Sequence, residues 1–280
     1  MRGRILVFTA ALVAALVVAP AGPAHALVDA QTVMAVSASD SVDAKSVVAF
    51  CPRGTVVVGG GARISGGGEP YAHITSLGPL PRVGWFAVGR EYSGRTARSW
   101  EVTAWAICAQ EPPGLDYVYA LTTPQSIPWQ SVQARCEKGT RLMAGGGGIY
   151  GDADGEVILA EARPSVTMDA YTVRGTVDFA GFAGGWTINA YAICAAVESY
   201  QEPATSAGNT MNPKAAAANC DHGWRPNSVG FLMYGPDGTV APNDAMFPSA
   251  MMGAASAYEL PLGQPSGAVW HVASFTICVQ

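Results

Sequence analysis

Six cysteines are the residues of this 280-residue chain whose type and spacing speak most directly of chemistry. They stand at Cys51, Cys108, Cys136, Cys194, Cys220 and Cys278, with pair separations of 57, 58 and 58 residues. The first member of each pair recurs after 85 and then 84 residues. Such a set predicts disulfides or a metal site. No CxxC or CxxH spacing occurs, which argues against metal. Of the 15 possible pairings, the regular interval favours 51–108, 136–194 and 220–278. Cysteines so paired leave no thiol nucleophile.

Other constellations are weaker. Asp152, Asp154 and Glu156 alternate around Gly155 and could ligate calcium through oxygen, although no EF-hand pattern is present and Asp-Gly is common turn chemistry. No other cofactor is expected. Gly146, Gly148 and Gly151 satisfy GxGxxG, but Asp152-Ala153-Asp154-Gly155 follows where a phosphate loop needs a helix. Glu161, Asp178 and Asp244 are eligible for a hydrolytic carboxylate pair, which geometry rather than spacing defines. His222 and His271 accompany five methionines (Met211, Met233, Met246, Met251, Met252), a soft set that could suit copper, though methionine more often fills core gaps. No HExxH or GxSxG appears, and the reading leans away from an enzyme.

The cysteine interval is part of an internal repeat. A tryptophan precedes each second cysteine by eight, in WEVTAWAIC, WTINAYAIC and WHVASFTIC. After each first cysteine come CPRGTVVVGGGARI, CEKGTRLMAGGGGIYG and CDHGWRPNSVGFLMYG. Ser/Thr-rich stretches (37–41, 122–126, 205–210) lie upstream. The copies span 31–110, 115–197 and 199–280, with Glu111-Pro112-Pro113-Gly114 as a linker. Copy three has diverged most, so specialised function is expected there. Trp100, Trp186 and Trp270 recur in every copy and read as core; Trp85, Trp129 and Trp224 do not recur and are the candidate ligand-binding aromatics.

The elements that must position these residues are strands. Trp100 to Cys108 alternates, and further strands are predicted at 55–58, 85–88, 141–144, 156–160 and 171–177. Glycine and proline punctuate the chain too often for long helices. Residues 1–26 read as a signal peptide: Arg2 and Arg4, an apolar run from Ile5 to Val18, and Ala24-His25-Ala26 for cleavage. The remainder is expected to be secreted, with no membrane span. Loss of Arg2 and Arg4 takes the net charge from −5 to −7. That balance argues against nucleic acid, which needs a basic face.

The frame of Cys51-Pro52-Arg53-Gly54, then Gly59–Gly61, then Ala104–Cys108 resembles a group of exported actinobacterial triple-repeat proteins. Copy two matches through Gly145–Gly147 and Ala190–Cys194, whereas copy three departs at Asp221-His222 and lacks the glycine triplet. That resemblance implies export and no activity. The three cysteine-bearing repeats are also similar to those of vitelline membrane outer layer protein I, which implies a β-prism around a pseudo-threefold axis and an extracellular coat or glycan-binding role.

The expected fold is all-β: three pseudo-symmetric disulfide-closed modules, either closed around a threefold axis like a β-prism or standing as three tandem small sandwiches. The expected function is a non-enzymatic binding or coat protein for glycan or cell-envelope polymer. An extracellular protein-interaction module such as a protease inhibitor, and a glycoside hydrolase-type enzyme, are the alternatives.

Overall fold

The computed structural model describes residues 27–67, 71–91, 98–151, 156–177, 182–210, 214–234, 243–248, 252–257 and 269–280. The predicted leader lies outside them, as do Asp152, Asp154 and Asp178. So do the side chains of Asp244, Met246 and Met252, and residues Met211 and Met251 altogether. All elements among the described residues are strands, and no helix there is long and apolar enough to cross a membrane.

Each copy supplies six strands. Copy one gives β1 (Gln31–Val36), β2 (Ala44–Phe50), β3 (Val56–Ser65), β4 (Ala72–Leu80), β5 (Gly84–Glu91) and β6 (Glu101–Ala109). Copy two gives β7 (Asp116–Leu121), β8 (Trp129–Arg135), β9 (Arg141–Tyr150), β10 (Val157–Pro164), β11 (Ala170–Val177) and β12 (Thr187–Ala195). Copy three gives β13 (Ser199–Thr205), β14 (Lys214–Asn219), β15 (Arg225–Tyr234), β16 (Asn243–Pro248), β17 (Met252–Ala257) and β18 (His271–Val279). Within a copy the strands pair as two triplets, β1-β6-β3 and β2-β5-β4 in the first. The disulfides 51–108, 136–194 and 220–278 clasp each copy, with Cα–Cα distances of 5.6, 5.6 and 5.8 Å.

Tandem sandwiches would share no strand pairs, yet here every copy pairs with the next. β4 pairs with β9, β10 with β15, and β16 returns to β3, all antiparallel. The pairing runs around a ring and produces three groups of six strands, each half from one copy and half from its neighbour; a single parallel bridge, Ser228 to Gly60, joins the second and third groups into one twelve-stranded sheet. The groups are β2-β5-β4-β9-β12-β7, β8-β11-β10-β15-β18-β13 and β14-β17-β16-β3-β6-β1.

The first strand after each first cysteine lies inside the ring. Each carries a bulge at one residue, Val58, Met143 or Asn227, seven places after that cysteine. All three are wholly buried, and the Asn227 amide donates to the Val58 carbonyl (2.7 Å) and the Met143 carbonyl (3.0 Å). One side chain of copy three therefore ties together the matching bulges of the other two. Leu27 helps cap this end, buried among Val58, Met143 and Val279, while its N–H donates to the Gln280 carbonyl at 2.6 Å.

The recurrent sequence features are structural. Gly54, Gly139 and Gly223 turn the chain at φ of +86°, +96° and +88°. Such values favour glycine, because a Cβ there meets the backbone. Ser37, Thr122 and Ser206 each accept the N–H two residues beyond the shared tryptophan. The tryptophans Trp100, Trp186 and Trp270 are buried. A buried lysine covers two of them, Lys45 over Trp100 and Lys214 over Trp270, both at 5.0 Å. In copy two the corresponding Gln130 donates to the Trp186 carbonyl at 2.6 Å.

Glycine and aromatic positions are matched in size across each copy's core. A Cβ on Gly60 would stand 2.3 Å from the Trp85 ring, and one on Gly145 2.1 Å from Tyr171. In copy three the pairing is inverted: Val229 takes the glycine's place and Gly253 the aromatic's.

Candidate functional site

Side chains on the outside of the sheet β2-β5-β4-β9-β12-β7 form rows across its strands, because cross-strand partners lie on one face. One row reads Phe86, Gly78, Gly146, Tyr191, Tyr119. The next reads Val88, Ser76, Gly148, Asn189, Leu121. The two central glycines of the first row leave space that the flanking rings lean into. Phe86 and Tyr191 meet edge-to-face at 5.9 Å, and Tyr119 lies 5.3 Å from Tyr191. A Cβ on Gly78 would come within 2.7 Å of the Tyr191 ring.

The second row forms a trench between this aromatic wall and Tyr150. Its floor is Ser76, Gly148 and Asn189. At the copy-one end it opens as a hollow of about 220 Å³ lined by Thr75, Ser76, Phe86, Val88, Arg90, Ile149 and Tyr150. Farther along, the hydroxyls of Tyr150 and Tyr191 approach to 3.4 Å and roof it.

Beneath that roof Asn189 is wholly buried. Its carboxamide interacts with the Tyr119 and Tyr191 phenols, favouring their ionised forms, though no contact reaches full hydrogen-bond geometry, and the Ser76 hydroxyl is buried without a partner. Other buried polar atoms among the described residues also lack a partner; what sets these two apart is that they share one row beneath the aromatic rim. A ligand bearing hydroxyls or amides would reach them only by parting the Tyr150–Tyr191 contact above.

The trench is specific to this sheet. Where copy two pairs Gly148 with Asn189, copy one pairs Arg63 with Thr103 and copy three pairs Leu232 with Ala273. In the second group Arg163 occupies the position of Gly78; it bonds Glu161 at 2.7 Å and lies 5.6 Å from the Phe275 ring.

The environment also shifts phenol ionisation. Burial pushes the Tyr191 phenol up, and the neighbouring Tyr150 hydroxyl acts in the same direction. Tyr119 is raised chiefly by burial, and burial takes Tyr117 up to about 12. An unfolded phenol titrates near 10, so above that pH the unfolded chain holds fewer protons than the native one. Stability is therefore full below about pH 10 and falls as pH rises through the native values. Urea midpoints should decline between about pH 10 and about pH 12. A flat profile would refute the assignment.

The residues singled out in the sequence are dispersed. Trp85 is wholly buried against Gly60, so it packs the core and presents no ring to a ligand. Trp224 is half-buried and packs edge-to-face on Tyr200 at 4.8 Å. Trp129 is 60% exposed and lines a second hollow of about 350 Å³ with Thr122, Gln125, Ile127, Pro128, Gln130 and Ser131. Glu156 is half-buried at the start of β10, its proposed calcium partners lying outside the described residues. Glu161 is taken up by Arg163, and Met233 is buried in the core. Gly145–Gly148 lie within β9, so these glycines serve strand packing and no phosphate loop forms there. Among the described residues no group of three His, Cys, Asp or Glu side chains could hold a metal ion.

Sequence reasoning passed over Ser76, Tyr119, Tyr150, Asn189 and Tyr191. A signal was present: copy two alone extends its glycines to four, ending at Gly148, and alone places asparagine at the third residue after its shared tryptophan, counting from Trp186. No protein-family model matches the chain, and no curated protein matches it.

Proposed function

We propose that this is a secreted, non-enzymatic binding or coat protein that recognises glycan or cell-envelope polymer on the trench face of a β-prism-like scaffold. The observation carrying this reading is the pair of buried, unsatisfied polar groups, Ser76 and Asn189, beneath an aromatic rim. Aromatic rings stack on the apolar faces of sugars, while a carboxamide and a hydroxyl meet sugar hydroxyls; pockets of this mixed lining suit such ligands. The three disulfides fit an oxidising, extracellular setting. Rigid paired strands limit the entropy lost on binding.

A glycan array and a cell-wall pull-down with the folded chain test the reading. Binding is expected in at least one, and Asn189→Leu should weaken it by about tenfold or more, since a buried anchor commonly contributes over 1 kcal/mol. Absence of binding in both would remove the proposal. A protease panel showing inhibition at one molecule per chain would favour the protein-interaction alternative instead.

A further inference from the structure

The trench does not end at Asn189. Its row continues to Leu121, which is 51% exposed at the edge strand β7. The next residue, Thr122, is already part of the hollow that contains Trp129. Strands β7 and β8 lie side by side at this corner of copy two, so the row leads from one hollow into the other. From Val88 to Leu121 it crosses four strand spacings, roughly 19 Å. Along the way the exposed apolar side chains are Tyr150, Tyr119, Leu121, Ile127 and Trp129, all from copy two.

Building on the glycan reading, we infer that trench and corner hollow form one extended track for a linear, neutral polysaccharide. The chain would part the Tyr150–Tyr191 hydroxyl contact, which at 3.4 Å leaves no passage beneath it, take hydrogen bonds from Ser76 and Asn189, and stack on Trp129.

Three observations select this occupant. The floor of the track is uncharged, and its single guanidinium in the seam hollow, Arg90, already has a partner. The whole chain carries net charge −5, which disfavours an anionic polymer. Strands β4, β9 and β12 are paired on both sides, so a peptide could not bind in the trench by adding a strand. What remains is a ligand that offers flat apolar faces and hydroxyls repeatedly along its length.

Titration of the full chain with β-1,4-linked N-acetylglucosamine disaccharide, tetrasaccharide and hexasaccharide tests this. Affinity should rise at least about tenfold from the shortest to the longest, equivalent to about 1.4 kcal/mol. Trp129→Ala, whose side chain is largely exposed and whose loss the fold tolerates, should bring the hexasaccharide down toward the disaccharide. Asn189→Leu should weaken all three. Equal affinity for all lengths, with no effect of Trp129→Ala, would overturn the extended track and leave the glycan reading standing. Binding by none of them, together with an empty glycan array, would overturn both.

Discussion

Asn227→Asp is expected to destabilise the fold by about 3–5 kcal/mol, the range for an uncompensated buried charge. The side chain is wholly buried, and its amide faces two carbonyl oxygens at 2.7 and 3.0 Å. A carboxylate there would present oxygen to oxygen. The native Asp would hold its proton to higher pH than the unfolded one. The deficit is therefore full above the native value, shrinks as pH falls through that value, and levels off below about 4, where the unfolded carboxyl is protonated too. Asn227→Ala, which only leaves the two carbonyls unsatisfied, should cost about 2–3 kcal/mol with no such acid recovery. Urea unfolding at neutral and acid pH separates the two. A pH-independent loss in the aspartate variant would show that Asn227 does not stand between the other two bulges.

A comparable effect is expected from Gly145→Val. Its Cβ would stand 2.1 Å from the ring of Tyr171, which is itself wholly buried. Overpacking on this scale costs about 3 kcal/mol or more, a fall of roughly 6–12 °C in Tm. Valine is nonetheless native at the corresponding Val229, because Gly253 stands opposite. Adding Tyr171→Gly should therefore recover part of the loss, with the two changes non-additive by about 1 kcal/mol or more. Strictly additive calorimetric values would sink the size-matching account. Tyr171→Gly by itself should also be costly, since its hydroxyl donates to the Ala162 carbonyl at 3.1 Å and its ring fills the core.

Much of this was legible in the residues themselves. Local rules act over a few positions, so the cysteine interval, the recurring tryptophan, the positive-φ turn glycines and the strand alternation all appear directly in the chain. The disulfide pairing followed from repetition, since equivalent strands bring equivalent cysteines together. Closure of the ring was different. A copy's hydrophobic pattern is the same whether its second triplet ends at an edge or continues into the next copy's strand. Only the pairing of β4 with β9 and its two counterparts decided between tandem and closed arrangements.

The candidate site divides in the same way. Of the candidate ligand-binding aromatics, Trp129 is exposed whereas Trp85 is not, because its burial depends on Gly60, 25 positions earlier in the chain and in another strand. Ser76 and Asn189 belong to different copies and adjoin only because β4 and β9 pair. Sequence determined the modules, their clasps and their turns, for those are set by neighbours along the chain. Tertiary structure decided which rows of side chains share a face, and with it where two polar groups are left buried without partners, because that depends on register between copies.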